Sequence, residues 1–532
     1  MKKHFISTGI LLLSLFSTLL IQGQTSSSSM LVKLENSVNN NAIKRSSHLR
    51  PAKEGGTFDV GTWGDAEFSK AMVTKITADL EVEWSFRLNV SINNGFTWQT
   101  SYGADVYELQ NGDIILLAAI NTGLFNTPTL QNLDYGVIKI RPGQTPQVLS
   151  AHYFGGNFSD IPQGLIATQD GGYLLHGITN MEQALNTPSF LKTYMVKLDA
   201  DLNLVWQKLI TPSNALCRTD ALILYNQGMV NRTAIETSDG GIVFTCQCQP
   251  NAFIGKLDAA GEFLWGRQFE NAGGFLEGAS GDDWGLIVGS GGYGAINRMQ
   301  ELPDGRLAFL GNHVFYLFGI FGIALPNQND GFGEGTGLPL SYLLVTDAAG
   351  NFQYGTAFFQ ETFAQPNMPI EMMVDDFVHV EDNRFLFVGG TNRHVTGGVT
   401  SYAPFVVEMD AQIHEVDEGI RNAYFVGADD DVVFRHTKND YPWGLDRIHT
   451  LKKEDNDRLL LAYDNQVLQM TPIDGFEQFG DCIEPASLSP LHSIPLNITF
   501  TNNQITTMSL PVGSPLTFSL TPINAYTTLV LF

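Results

Sequence analysis

The chain has 532 residues, 30 basic and 55 acidic, giving a formal net charge of −25, and only 16% of its residues are charged. That balance argues against nucleic acid or an anionic membrane as a partner, because both need a basic footprint that self-repulsion of this size opposes. The length exceeds one ordinary compact domain but suits a repeat architecture, and 53 glycines with 35 phenylalanines suit many short buried strands joined by tight turns.

Lys2, Lys3 and His4 precede the apolar run Phe5–Ile21 and the small residue Gly23, the pattern of a secretory signal peptide over residues 1–24. The run is short for a spanning helix, so no transmembrane segment is expected in the mature chain. Export would place the protein in the periplasm, at the cell surface or outside the cell. Loss of two lysines with the signal would bring the net charge to about −27. Residues 25–56 read as an N-terminal leader.

From there two hairpin motifs alternate. The first is an apolar strand, a Gly-, Asp- or Asn-containing turn and a second apolar strand, with turns at Asn111-Gly112, Asp170-Gly171-Gly172, Asp239-Gly240-Gly241, Asp304-Gly305, Asp382-Asn383 and Asn456-Asp457. The second turns at Ala78-Asp79, Pro142-Gly143, Ala200-Asp201, Ala260-Gly261, Ala349-Gly350, Gln412-Ile413 and Asp474-Gly475, and then reaches a large residue such as Trp84, Trp206, Trp265, Tyr354 or Phe479. Two hairpins in fixed alternation make a four-stranded antiparallel sheet, and such sheets repeated around an axis are propeller blades.

The expected fold is therefore all-β: a propeller over residues 57–482 with seven blades, six or eight being the alternatives. The second motif has seven copies and the first has six. The missing hairpin is assigned to Leu496–Phe500 and Ile505–Ser509, joining the N-terminal hairpin around Asp79. Residues 483–532 then either close the last blade or form a small β appendage.

With blade strands ordered A to D from the axis outward, both recurring turns fall on one face and the variable connections on the other. Long loops on a rigid scaffold are where binding concentrates. The longest are 271–293, with Asp282, Asp283 and Trp284, and 314–340, with Phe315, Tyr316, Asn327, Asn329, Asp330 and Glu334. The apolar run Phe315–Leu325 reads either as a strand extension or as an exposed partner surface. Trp98, His394, Tyr441 and Trp443 fall in or beside other connections of that face, and their rings suit stacking on a sugar or peptide.

No metal site is expected. Calcium at the oxygen-rich Asn327–Glu334 stretch is the one cofactor left open, since its spacing is not that of a calcium loop. Cys246 and Cys248 share a strand face, and either could bridge to Cys217. There is no Gly-x-Ser-x-Gly turn, no His-Glu-x-x-His and no phosphate loop.

Thr168–Gly177 followed by Lys197-Leu198-Asp199 to Trp206 resembles the tandem β-propeller repeats of secreted Bacteroidota proteins, a resemblance covering residues 71–480. The Asp258–Trp265 stretch resembles the quinoprotein-type propeller motif, whose tryptophan docks neighbouring blades; it implies that role for Trp84, Trp206 and Trp265. The leading expectation is a secreted, non-enzymatic propeller that binds a protein or a glycan at its long-loop face. The alternatives are a carbohydrate-active hydrolase or lyase with acidic residues at the channel mouth, and a subunit of a cell-surface or secretion assembly.

Overall fold

The computed structural model describes residues 30–36, 43–64, 70–78, 81–91, 101–121, 133–143, 145–155, 160–179, 192–212, 234–246, 252–271, 274–276, 286–288, 294–319, 337–360, 372–395, 399–412, 420–426, 448–453, 459–463, 466–470, 483–485, 491–495, 498–502, 505–508, 517–522 and 525–530. Regular structure among them is β. No helix there is long and apolar enough to cross a membrane.

An opening strand β1 (Met30–Asn36) precedes six sheets of four consecutive antiparallel strands. The first is β2 (Ile43–Pro51), β3 (Thr57–Gly64), β4 (Lys70–Ile76) and β5 (Val82–Ser91). The second is β6 (Ser101–Glu108), β7 (Ile114–Asn121), β8 (Leu133–Arg141) and β9 (Gln147–Phe154). The third is β10 (Asp160–Ala167), β11 (Tyr173–Thr179), β12 (Lys192–Leu198) and β13 (Leu204–Pro212). The fourth is β14 (Ala234–Glu236), β15 (Ile242–Cys246), β16 (Ala252–Leu257) and β17 (Phe263–Asn271). After a short hairpin of β18 (Gly274–Leu276) and β19 (Leu286–Val288), the fifth is β20 (Gly294–Glu301), β21 (Leu307–Gly319), β22 (Gly337–Thr346) and β23 (Phe352–Gln360). The sixth is β24 (Met372–Glu381), β25 (Arg384–Val395), β26 (Val399–Asp410) and β27 (Ile420–Val426).

A seventh sheet takes three strands from its own stretch, β28 (Ile448–Lys453), β29 (Leu459–Tyr463) and β30 (Gln466–Met470); its fourth is β1, with Leu31 opposite Leu468. Each sheet touches the next, and β28 and β29 of the seventh touch β2 of the first. The core lies between sheets: one cluster joins Val60 and Phe86 of the first to Val106 and Leu116 of the second, and another joins Leu117 and Val137 to Leu165 and Val196.

Two expectations are corrected. Residues 25–56 do not form a mere leader, because they hold β1 and β2. The missing hairpin is β2–β3, whose turn Ala52–Gly56 shows the hydrogen bonds of its counterparts, Ala52 N–H to Gly56 O at 3.1 Å and Gly55 N–H to Ala52 O at 3.2 Å. Ile498–Asn502 and Ile505–Met508 instead pair separately, with β17 and β13. The turn expected at Asp474-Gly475 lies outside the described residues, and β1 occupies the place beside β30 that its strand would have taken.

The two motifs, unlike in sequence, close in the same way. The N–H of the first turn residue reaches the carbonyl four residues on, and the fourth residue is left-handed: Gly112, Gly171, Gly240 and Gly305 in the first motif, Leu202, Gly261 and Gly350 in the second. The second-motif turns also touch the preceding sheet. A Cβ on Gly261 would stand 3.0 Å from the Trp206 ring, and one on Gly350 would stand 2.6 Å from the Trp265 ring. Lys208 and Arg267, two residues past each tryptophan, donate to the same turns at Gly261 O and Ala349 O.

Leu202 breaks the glycine pattern with φ of 67°. Trp206 and Trp265 face Lys197 and Lys256 in their ladders, whereas Ser150 faces Lys139 in the second sheet. The turn beyond therefore meets no indole, and Leu202 fills that space in the cluster with Val137, 1% exposed. A left-handed backbone costs a non-glycine residue about 1–2 kcal/mol, and burying a leucine returns about 1.5–3 kcal/mol. Burial decides the residue.

Polar groups on this turn-bearing side are spent on one another. Lys197 donates to Asp170 Oδ1 at 2.8 Å and to Thr168 Oγ1 at 2.9 Å; Lys256 donates to Asp239 Oδ2 at 2.6 Å. In the sixth sheet the charges are exchanged, with Arg384 donating to Glu408 at 2.8 Å. Glu108, Glu236 and Glu301, each just before a first-motif turn, accept the backbone N–H of Lys53 at 2.6 Å, Gln169 at 3.0 Å and Ser238 at 2.6 Å from the turn of the preceding sheet. Where the second sheet meets the third, Ala167 stands in the glutamate's place; where the fifth meets the sixth, Pro303 has no N–H to give.

Hydrogen bonds from Lys256 and Thr237 outweigh burial and hold Asp239 at about 2. Burial pushes Asp170 up, but Lys197, Thr168 and the Gly172 N–H bring it down to about 2. Both folded-state values lie below the ordinary 3.8, so these clasps contribute fully above about pH 4 and are lost as the pH falls towards 2. In Lys256→Met, the Asp239 carboxyl should titrate higher by carbon NMR, towards its ordinary value, with the Thr237 and Gly241 bonds still holding it down in part; an unmoved midpoint would contradict the assignment. Gly112 has open space around its missing Cβ. Gly112→Ala should therefore cost only the backbone term of about 1–2 kcal/mol, and Gly350→Ala a further ~1–3 kcal/mol from the indole, as measured by denaturant unfolding.

Candidate functional site

An antiparallel meander sends its first and third connections to one end and its second and inter-sheet connections to the other. The described tight turns gather at the first end. At the opposite end, two hairpins run on past the sheets that carry them. In the fifth sheet the ladder with β20 stops at His313, while β21 continues from Val314 to Gly319, about 20 Å of extended chain. In the sixth, β25 and β26 pair as far as Val395 with Val399, beyond the last β24 partner, Thr391.

The fifth-sheet extension joins the two segments that stood out in sequence. β19, from 271–293, pairs with the extended part of β21, from 314–340: Leu286 opposite Gly319, Ile287 opposite Phe318 and Val288 opposite Leu317. β18 adds outside β19. Residues 314–319 and 337–340 are thus strand rather than loop, as are 392–395 and 399–403, because a continuous ladder satisfies their backbone groups. Phe315 lies opposite Leu338, Tyr316 opposite Gly337 and His394 opposite Thr400. Trp98, Asp282, Asp283, Trp284, Asn327, Asn329, Asp330, Glu334, Tyr441 and Trp443 lie outside the described residues. So do Cys217 and Cys248, while Cys246 ends β15 opposite Phe253.

Trp84 is buried in the cluster that joins the first and second sheets, stacked on Phe86 at 5.2 Å between ring centres and tilted against Phe58 at 5.9 Å. Trp206 and Trp265 lie on the turns of the following sheets, as described above.

A polar cluster at the end opposite the tight turns, not anticipated from sequence, sits between the second and third sheets. Asp134 on β8 and Asp160 on β10 are buried, and their carboxylates both face the vacant Cβ position of Gly155, where a side chain would collide with Asp134 Oδ1 and Asp160 Oδ2. Tyr135 donates to Tyr194 O at 3.2 Å, and Tyr194 donates to Gln207 Oε1 at 3.0 Å. Burial raises both hydroxyls well above the ordinary tyrosine range; the charge of Asp160 adds to this, followed by Tyr194 for Tyr135 and Asp134 for Tyr194. Both phenols therefore stay protonated and act as donors. Among the described residues no three His, Cys, Asp or Glu side chains are placed to hold a metal ion.

The first strands of the sheets carry a second, partly buried set. Arg50 forms a two-pronged pair with Asp105 at 2.8 and 2.6 Å; Asp105 also accepts the N–H of Val106 at 2.8 Å and of Leu165 at 2.9 Å. Arg298 and Asp376 form a single-contact ion pair between the fifth and sixth sheets at 3.2 Å, with Asp376 accepting Phe377 N–H. Both aspartates follow a bulge in their strand, which re-aims the side chain towards the neighbouring sheet. Their bonding makes them ties between sheets.

No protein-family model matches the chain, and a search of curated proteins finds no match. One solved structure, the extracellular domain of a putative hybrid two-component system from B. thetaiotaomicron, aligns over 83% of this chain and 83% of its own, at 8% identity and a TM-score of 0.14. That likeness is too slight to carry a conclusion.

Gly155→Ala should separate the two carboxylates and lower stability by about 1–3 kcal/mol in denaturant unfolding; an unchanged midpoint would mean that the aspartates do not converge there.

Proposed function

We propose that the seven sheets are the blades of a β-propeller, and that the protein binds another protein or a glycan at the face opposite its tight turns. The carrying observation is the β19–β21 ladder, which welds the two longest sequence-predicted loops into one projecting element. A strand-built projection holds its contacts in place at lower entropy cost than two free loops. Further support comes from the opposite face, where the clasps and glutamate bonds already occupy the turns' charged groups. The chain's acidity favours a neutral or basic partner.

The register supplies the test. His313 lies opposite Leu340, so a two-residue Asn-Gly turn can replace residues 314–339 and leave the inner ladder intact. Glycan-array binding and cross-linked capture from an envelope fraction should be lost in this variant with little change in melting temperature. Equal binding by the full and shortened proteins would overturn the assigned face.

A further inference from the structure

The fourth strand of each of the first six sheets opens with the same irregularity. In the first sheet Lys75 and Ile76 face Trp84 and Val82, which leaves Glu83 as the extra residue of a bulge. The same step in the next five sheets leaves Leu149, Val205, Leu264, Gln353 and Arg421. Three consecutive sheets thus hold an aliphatic residue there, and it is exposed in each: Leu149 at 40%, Val205 at 57% and Leu264 at 54%. Among the described residues these three are the exposed large apolar side chains. One such residue needs no explanation, but their coincidence on one position of adjoining sheets makes a row. The C-terminal strands stop short of it: Ile505–Met508 pairs with β13 over Leu209–Pro212, and Ile498–Asn502 with β17 over Arg267–Asn271.

Charge around the row is one-sided. Lys197, Lys208 and Lys256 are each engaged with a carboxylate. On the turns leading into Val205 and Leu264, Asp199 and Asp258 accept only backbone and asparagine N–H groups, and Asp201 is exposed. None of these three aspartates forms an ion pair among the described residues. Beside the same turn, between the third and fourth sheets, lies a cavity of about 290 Å³ whose lining includes Asp170, Lys197, Glu236, Ile242 and Ala259. Lys197 already bonds Asp170, so Glu236 sets the charge of that space.

We propose that the bulge row Leu149, Val205 and Leu264 is a second binding surface, on the tight-turn side, for an extended segment of another protein with aliphatic side chains set among lysines or arginines. Its aliphatic groups would cover the row while its cations meet the aspartates and the acidic cavity. Sheets packed face to face lie about 10 Å apart. A polyproline-II segment returns to the same side every three residues, about 9 Å on, so one aliphatic residue in three matches one sheet each. A second copy fits poorly, because it would bring the same aspartates face to face. Three side chains also fall far short of the roughly 800 Å² that each partner gives to a stable globular interface.

Fluorescence anisotropy with a labelled peptide of four Leu-Lys-Ser repeats tests this on the full chain. The peptide should bind, and the triple variant Leu149→Gln, Val205→Gln and Leu264→Gln should weaken it at least tenfold. That variant should keep its melting temperature, since the fifth sheet carries glutamine, Gln353, at the same position. Asp201→Lys should weaken binding severalfold, and replacing residues 314–339 at the opposite face should leave it unchanged. A peptide with glutamate for lysine should bind at least tenfold less well. No binding by the full chain, or equal binding by the triple variant, would overturn the proposal. Equal binding of a Ser-Lys-Ser repeat would reduce the effect to charge alone and overturn it as well. Self-association in sedimentation that the triple variant abolishes would give the row to a second copy, and would also overturn it.

Discussion

An antiparallel sheet leaves a row of unpaired backbone groups at each edge, and the order of this chain follows from covering them. The decisive pairing is β1 with β30. The seventh sheet has three strands from its own stretch, and its fourth comes from the opposite end of the sequence. That separation adds little cost, because loop-closure entropy grows only by about 0.6 kcal/mol for each doubling of length. In return, the first and last sheets are tied through a ladder instead of apolar contact alone. The strand Ala525–Val530 then pairs with the other edge of β1, so β1 lies between it and β30.

Within that frame the repeat is a set of local solutions to one packing problem. Each junction must seat the outer strand of one sheet against a turn of the next. Where an indole is present the turn has glycine, as Trp206 with Gly261 and Trp265 with Gly350; where the strand offers Ser150, the next turn accepts a strained Leu202 for the sake of its burial. The clasps show the same freedom. Lys–Asp in the third and fourth sheets becomes Arg–Glu with exchanged positions in the sixth, so where a clasp crosses the hairpins it is the opposite charge and not a fixed residue that recurs.

Much of this was legible because it is local. A turn with a left-handed fourth residue demands glycine or a special reason for its absence, and the alternation of two hairpins dictates four-stranded sheets with their tight turns on one side. The seventh first-motif copy was also present, as Lys53-Glu54-Gly55-Gly56, but Glu54 replaced the aspartate or asparagine that marked the others. Pairings made at a distance left no such trace. Nothing in Met30–Asn36 announces β30 as its partner, and Asp134 and Asp160 reach one point from different sheets, so no spacing connects them. The Phe315–Leu325 run shows a third limit: apolar character fits both strand and exposed patch, and only the ladder to β19 and β22 identifies Val314–Gly319 as strand.

The account stands most directly on the β1–β30 ladder, which a complementation experiment addresses. A chain beginning at Ile43 should melt at a lower temperature than the full chain, bind a synthetic Met30–Asn36 peptide one to one and recover stability on binding it. The same shortened chain melting with the full-length protein, and ignoring the peptide, would contradict the closure on which the rest of the structure depends.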